Sequence, residues 1–182
     1  MRNSGFTLIE LIIVILILGI LSVTAAPRFL NLQDDARNAT LSGMAGAIRS
    51  GLDLGYAKLA INGLENSEYI TNHAPPAGFT KVEIPIQGCE ESALDRCIFR
   101  YGYPESDFYT ITTLVDGINK NYEQTEDWGI TKLSGDIALI ITDKSNLIYT
   151  NAEPMLKSQS CYIRYLHPTY QDEDYTLEII DC

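Results

Sequence analysis

The beginning of the chain constrains its folding more than any other feature. "GFTLIELIIVILILGILSVTAA" runs from Gly5 to Ala26, and its 21 residues from Phe6 onward contain one charge, Glu10. A helix needs about 20 apolar residues to cross a hydrocarbon layer of about 30 Å, so the run is long enough to span a membrane. A carboxylate inside such a helix costs about 3 kcal/mol unless it finds a proton or a partner. If Glu10 sits near the interface, it reaches water and has no special role. If it sits deeper, it needs a cation on another helix, because a neutral surface does not offset its cost. A secretory signal peptide competes with the membrane helix, with Arg2 as its basic region and Ala25-Ala26 as its small-residue site. The length of the run and the presence of Glu10 argue against it.

The rest of the chain bounds the class. With 182 residues and 46% hydrophobic content, it can build one domain with a core. Its formal net charge of -11 repels phosphate backbones, so no nucleic-acid partner is expected. Cys89, Cys97, Cys161 and Cys182 show no CxxC spacing, and with only two histidines a zinc site is disfavoured. In an exported chain they read as two disulfides. Of the three possible pairings, Cys89–Cys97 and Cys161–Cys182 are favoured, since each brackets a short polar segment rich in turn residues. Arg2 and Arg28 flank the apolar run almost symmetrically, so charge alone leaves orientation open. The disulfide reading prefers export of the part that follows.

"GFTLIEL", residues 5–11, closely resembles the class III signal of type IV prepilins, the type IVa group. The resemblance implies that "MRNSG", residues 1–5, is a leader cut by prepilin peptidase between Gly5 and Phe6. Phe6 then becomes the N-methylated first residue. Glu10 becomes the carboxylate that meets the Phe6 amine of a neighbouring subunit, so its cost is offset in the polymer. The implied partners are further copies of the chain, the peptidase, an inner-membrane assembly platform with its ATPase, and an outer-membrane secretin. The implied location is the inner membrane as a single-pass prepilin, then an extracellular filament. "TAAPRFLNLQDDAR", residues 24–37, is similar to the mannose-sensitive haemagglutinin-type pilins, which implies a pilus for surface attachment and biofilm formation. The first motif is shared with minor pilins and type II secretion pseudopilins, and these stay open as alternatives. A membrane-tethered periplasmic binding protein fits the residues around the cut less well.

Pro27 removes one helical hydrogen bond and clashes with the preceding turn, and Gly19 is a weak helix former. A kink is expected near Pro27. The resemblance adds loss of helical order between Gly19 and Pro27 in the fibre. Residues 6–28 thus read as the membrane and filament-core helix, and 29–62 as an amphipathic second half. Leu41, Met44, Ile48, Leu52 and Leu59 recur at helical spacing on one face. Beside them Gly43, Ala47, Gly51 and Gly55 form a ridge of small residues, expected to lie under a β-sheet of the same chain. Asn62-Gly63 stops the helix. From Phe6 to Ile61 a full helix would be about 84 Å long, so most of it stands outside a membrane.

Residues 63–182 read as a globular part. A long loop over 64–97 is expected to hold a short strand, "KVEIPI". "CIFRYGY" (97–103) reads as a strand and "SDFYTITTLVDGIN" (106–119) as a short helix capped by Ser106-Asp107. "DIALIIT" (136–142) with "LIYTN" (147–151) reads as one hairpin, and "SCYIRYL" (160–166) with "DYTLEIID" (174–181) as another. The expected fold is α+β and type IV pilin-like, a long amino-terminal helix packed on a carboxy-terminal antiparallel sheet.

Nothing in the sequence points to catalysis or a cofactor. The acidic run Asp172-Glu173-Asp174 lacks a calcium-loop pattern and reads as a solvated turn tip. Gly43 and Gly46 lie within a helical pattern without a phosphate-loop lysine. "NAT" at 38–40 is a formal glycosylation sequon on a helix. His73 and His167 are isolated in loops, with no nucleophile placed beside either. Eleven tyrosines suit sheet positions, and none is singled out as a ligand contact. The receptor is not legible.

Overall fold

The structure is a computed structural model that describes residues 7–120, 123–150 and 153–182, with the backbone alone for 25–31. The expected leader 1–5, Phe6, and the expectation of a kink around the Pro27 ring lie outside the described residues. The chain divides into two compact units, Met1–Arg37 and Asn38–Cys182.

One helix, α1 (Leu8–Ile61), contributes to both units and includes Pro27 in its backbone assignment. In the second unit its apolar stripe is buried: Leu41, Ala45, Ile48, Leu52 and Leu59 are each 3% exposed or less. The helix ends where the Asn62-Gly63 pair predicts. Gly63 takes φ +68°, a left-handed geometry that suits glycine. Its N–H donates to Ala60 O and the Leu64 N–H to Leu59 O, both at 3.0 Å, which is a Schellman closure.

The main sheet is four-stranded and antiparallel, from β4 (Trp128–Lys132), β5 (Leu139–Asp143), β8 (Tyr162–Leu166) and β9 (Thr176–Ile180) in the order β4-β5-β8-β9. Its buried face, with Ile130, Ile141, Ile163 and Tyr165, shares one core with Leu41, Ile48 and Leu52 of α1. A smaller sheet joins β1 (Ile70–Thr71), β2 (Ile98–Arg100) and β3 (Tyr103–Pro104). A third pairs β6 (Leu147–Ile148) with β7 (Met155–Leu156). The α+β, type IV pilin-like expectation therefore holds, as does the hairpin of β8 with β9, registered Ile163 opposite Ile179.

Several local expectations do not hold. "KVEIPI" is not a strand: Pro85 lacks the N–H a ladder needs, and one bond, Val82 N–H to Thr71 O at 3.2 Å, ties it to β1. Its Ile84 and Ile86 are nevertheless buried against Leu59 and Phe99. "CIFRYGY" is a tight hairpin, because Tyr101 and Gly102 both adopt positive φ, 48° and 84°, and β2 folds back on β3. The segment 106–119 forms a single 3-10 turn, Ile111–Thr113, rather than an α-helix. Asp107 does not cap it, for Thr110 is the N-cap and makes no side-chain cap bond; Asp107 closes the turn just ahead, accepting from the Tyr109 and Thr110 N–H groups at 2.8 and 2.6 Å. The 136–151 hairpin does not form either: β5 pairs with β4 and β8, and β6 pairs with β7. Finally, among the described residues no strand lies on Gly51 or Gly55 of the small-residue ridge. The Leu114 carbonyl lies 2.7 Å from where a Gly51 Cβ would stand, and the Leu114 side chain 2.9 Å from that of Gly55, while Gly43 faces open space.

Candidate assembly site

The amino-terminal unit presents a surface made of its own side chains. Thr7 precedes the first helical residue, and Glu10 is the third residue of the helix. The Thr7 backbone N–H and its Oγ1 both donate to Glu10 Oε2 at 2.8 Å, and the Glu10 N–H donates to Thr7 Oγ1 at 3.4 Å. This is a capping box, in which side chain and backbone satisfy each other at a helix start. It also places a negative charge at the positive end of the helix dipole. Sequence reasoning singled out Glu10 but missed Thr7. The signal was present as "TLIE", a Thr-x-x-Glu spacing directly ahead of an apolar run.

From Leu8 to Val23 the large apolar side chains are 43% to 76% exposed. The hydroxyls that interrupt them are turned inward on the backbone. Ser22 Oγ donates to Leu18 O at 2.7 Å, and Thr24 Oγ1 to Leu21 O at 3.0 Å. A helix so arranged exposes apolar surface with its polar groups already bonded. Gly19 leaves a notch in it, an open groove of about 590 Å³ lined by Ile15, Leu16, Ile20, Val23 and Thr24. Among the described residues no helix is long and apolar enough to cross a membrane. The expected span includes Phe6 and the side chains of Ala25 to Arg28, which lie outside them.

In the second unit the structure pairs Cys89 with Cys97 and Cys161 with Cys182, at Cα separations of 5.5 and 4.3 Å. The first closes a loop that the buried Asn72 holds from inside: its Nδ2 donates to Glu90 O and Asp95 O, and its Oδ1 accepts from the Cys97 N–H at 2.9 Å. The second brings Cys182 to α1, where its N–H donates to Asn38 Oδ1 at 2.8 Å.

The described residues contain no cluster of three or more metal-ligating side chains. Glu173 instead closes its own turn, accepting from the Thr169 N–H and Oγ1 at 2.7 Å. One expectation is corrected: a hydroxyl does stand beside a histidine. Ser106 Oγ lies 2.9 Å from His167 Nδ1, and the Ser106 N–H donates to the same nitrogen at 3.1 Å. Ser106 is only 2% exposed. Burial, the largest influence on His167, pushes its pKa below the usual value.

The comparisons with known proteins point to the same segment. The prokaryotic N-terminal methylation motif matches residues 1–26. The chain is 56% identical over 50 residues to a type IV narrow pilus major component of Thermus thermophilus, across 28% of this chain and 43% of that protein. It is 40% identical over 53 residues to the type II secretion system core protein G of Pseudomonas aeruginosa, across 29% of this chain and 37% of that one. The matched stretch thus spans less than half the length of either relative. No solved structure matches. Motif and likeness are confined to the amino-terminal third of the chain, and there it is similar to type IV pilins and to a type II secretion core protein.

Proposed function

We propose that this chain is the structural subunit of a type IV pilus of the mannose-sensitive haemagglutinin-like kind, serving surface attachment and biofilm formation. Prepilin peptidase cuts after Gly5 and methylates Phe6. The subunit waits in the inner membrane through its apolar helix, and the platform, its ATPase and the secretin pass it into an extracellular homopolymer. It acts as a building block and not as an enzyme. The observation that carries this reading is the apolar helix from Leu8 to Val23, exposed on every side and headed by the Glu10 carboxylate. Exposed apolar surface on this scale marks contact with lipid or with other copies. A carboxylate at its head supplies the charge that an amino-terminal cation of a neighbour would meet.

The test is to shear cells, pellet fibres and weigh the dominant subunit intact. A chain that begins at Phe6, one methyl heavier and with both disulfides closed, supports the pilus. The same cut in a chain that stays with the membrane favours the pseudopilin reading, which the likeness to the type II secretion core protein keeps alive. A chain that retains Met1 to Gly5 overturns the processing step. Glu10→Ala is expected to fold and insert but to lower fibre yield sharply. Normal yield from that variant would sink the pairing account.

A further inference from the structure

Segment 104–107 leaves the small sheet and runs to the 3-10 turn, whose following residues Leu114 and Val115 lie on Gly51, with Leu114 also on Gly55 of α1. Five contacts strap it to the end of β8, one of them the 2.9 Å approach of Ser106 Oγ to His167 Nδ1. The Tyr165 hydroxyl donates to Pro104 O at 2.6 Å, and Ser106 Oγ donates to Tyr165 O at 3.4 Å. The His167 N–H donates to Ser106 Oγ at 3.2 Å, and the Ser106 N–H donates to His167 Nδ1 at 3.1 Å. The last contact sets the chemistry. A backbone N–H can only donate, so Nδ1 must carry a lone pair, and the ring's proton must sit on Nε2. A proton added to Nδ1 can be taken up by Ser106 Oγ at 2.9 Å, but it leaves the Ser106 N–H, on a residue 2% exposed, facing a second donor with its acceptor gone.

We propose that the Ser106–His167 pair is an acid-released strap: protonation of His167 detaches segment 104–107 from the end of β8 and loosens the 3-10 turn whose following residue Leu114 lies on Gly51 and Gly55. Asp107 carries the effect onward, since its carboxylate holds the Thr110 N–H at 2.6 Å, and Thr110 Oγ1 in turn holds the Ile98 N–H at 3.0 Å. The charges around the ring come from four directions. Glu105, beside Ser106, and Glu173, on the loop after β8, favour the proton. Arg100 of β2 and Lys132 of β4 oppose it. Arg100 is itself paired with Glu105 at 2.8 Å, which cancels much of both. Burial outweighs them and also opposes protonation. The folded pKa is thus depressed for a base. The unfolded chain takes up the proton first, near the ordinary value of about 6.5. The stabilisation is complete above that pH and is lost as pH falls through it toward the lower folded value.

The chain has two histidines, so selective ¹⁵N labelling of histidine and serine in the full chain in detergent micelles gives two ring systems, which His73→Gln assigns, together with the serine amides, among which Ser106→Ala assigns that of Ser106. A titration from about pH 8 to about pH 4.5 brackets the ordinary histidine value. His167 is expected as the Nε2–H tautomer at neutral pH, with a midpoint below about 6.5 and the Ser106 amide resonance shifting at the same midpoint. In His167→Asn the amide oxygen accepts from the Ser106 N–H without titrating, so the Ser106 shift should vanish while the strap holds. If that variant fails to fold, the unmodified chain still decides. A proton on Nδ1 at neutral pH, a midpoint at or above the ordinary value, or a Ser106 amide that ignores the titration overturns the proposal.

Discussion

Residues 8–24 and 41–59 belong to the same helix, α1, and both carry large aliphatic side chains, yet they follow different rules. In the first stretch every large apolar side chain is exposed, none less than 43%. In the second, Leu41, Ile48, Leu52 and Leu59 are almost wholly buried, and the polar residues between them face out. The difference lies in periodicity. The first stretch is apolar on all sides, the pattern of a helix whose partner is lipid or other helices. The second has one stripe and finds its partner within its own chain. Composition follows the same division, since the second stretch carries Arg49, Asp53 and Lys58 between its apolar residues and the first carries only Glu10.

The comparison breaks most plainly with a pair of alanine substitutions. Leu52→Ala should destabilise the globular unit by about 2–5 kcal/mol, read by chemical denaturation. Ile17→Ala should leave that transition within about 0.5 kcal/mol, because its side chain is spent on contacts outside the fold, and should lower fibre yield instead. Equal losses from both would show that the first stretch also supports the domain. Next in size comes Asn72→Ala, which strips three bonds from the loop closed by Cys89 and Cys97 and should cost about 2–3 kcal/mol in the same assay.

The smallest effects sharpen the contrast within one helix face. Gly51→Ala sets a methyl against the Leu114 carbonyl and should destabilise by about 1–3 kcal/mol. Gly43→Ala meets nothing within 4 Å and should stabilise by about 0.5–1 kcal/mol, since alanine loses less backbone freedom in a helix. Melting temperatures of the two variants, moving in opposite directions, would check the divided ridge. A shared sign would mean that both glycines are covered or both are free.

Elements with a strong period or a decisive end signal were legible. The buried stripe of α1, its stop at Gly63, and the β8–β9 hairpin all read correctly. The misses share a cause. β4 was overlooked because Gly129 weakens its strand signal, and the reason for that glycine appears only in the fold: Leu147 Cδ1 and Tyr149 Oη stand 2.5 and 2.6 Å from where its Cβ would be. The Tyr101-Gly102 turn hid inside an alternating pattern. The Ser106–His167 strap joins residues 61 apart in sequence, a distance over which no local pattern carries information.

The sequence by itself determined the amino-terminal device: an apolar helix, its capping pair Thr7 and Glu10, and the motif in which they sit. These depend on neighbours three or four residues apart, which local spacing encodes directly. It also determined which face of the second half of α1 is buried. Only the tertiary structure decided what lies on that face, namely which strands pair, that Leu114, after the 3-10 turn, rather than a sheet covers Gly51 and Gly55, and that His167 must accept a backbone proton donor. Those outcomes turn on contacts between distant segments, where shape and unmet hydrogen bonds select among pairings that local propensity leaves equal.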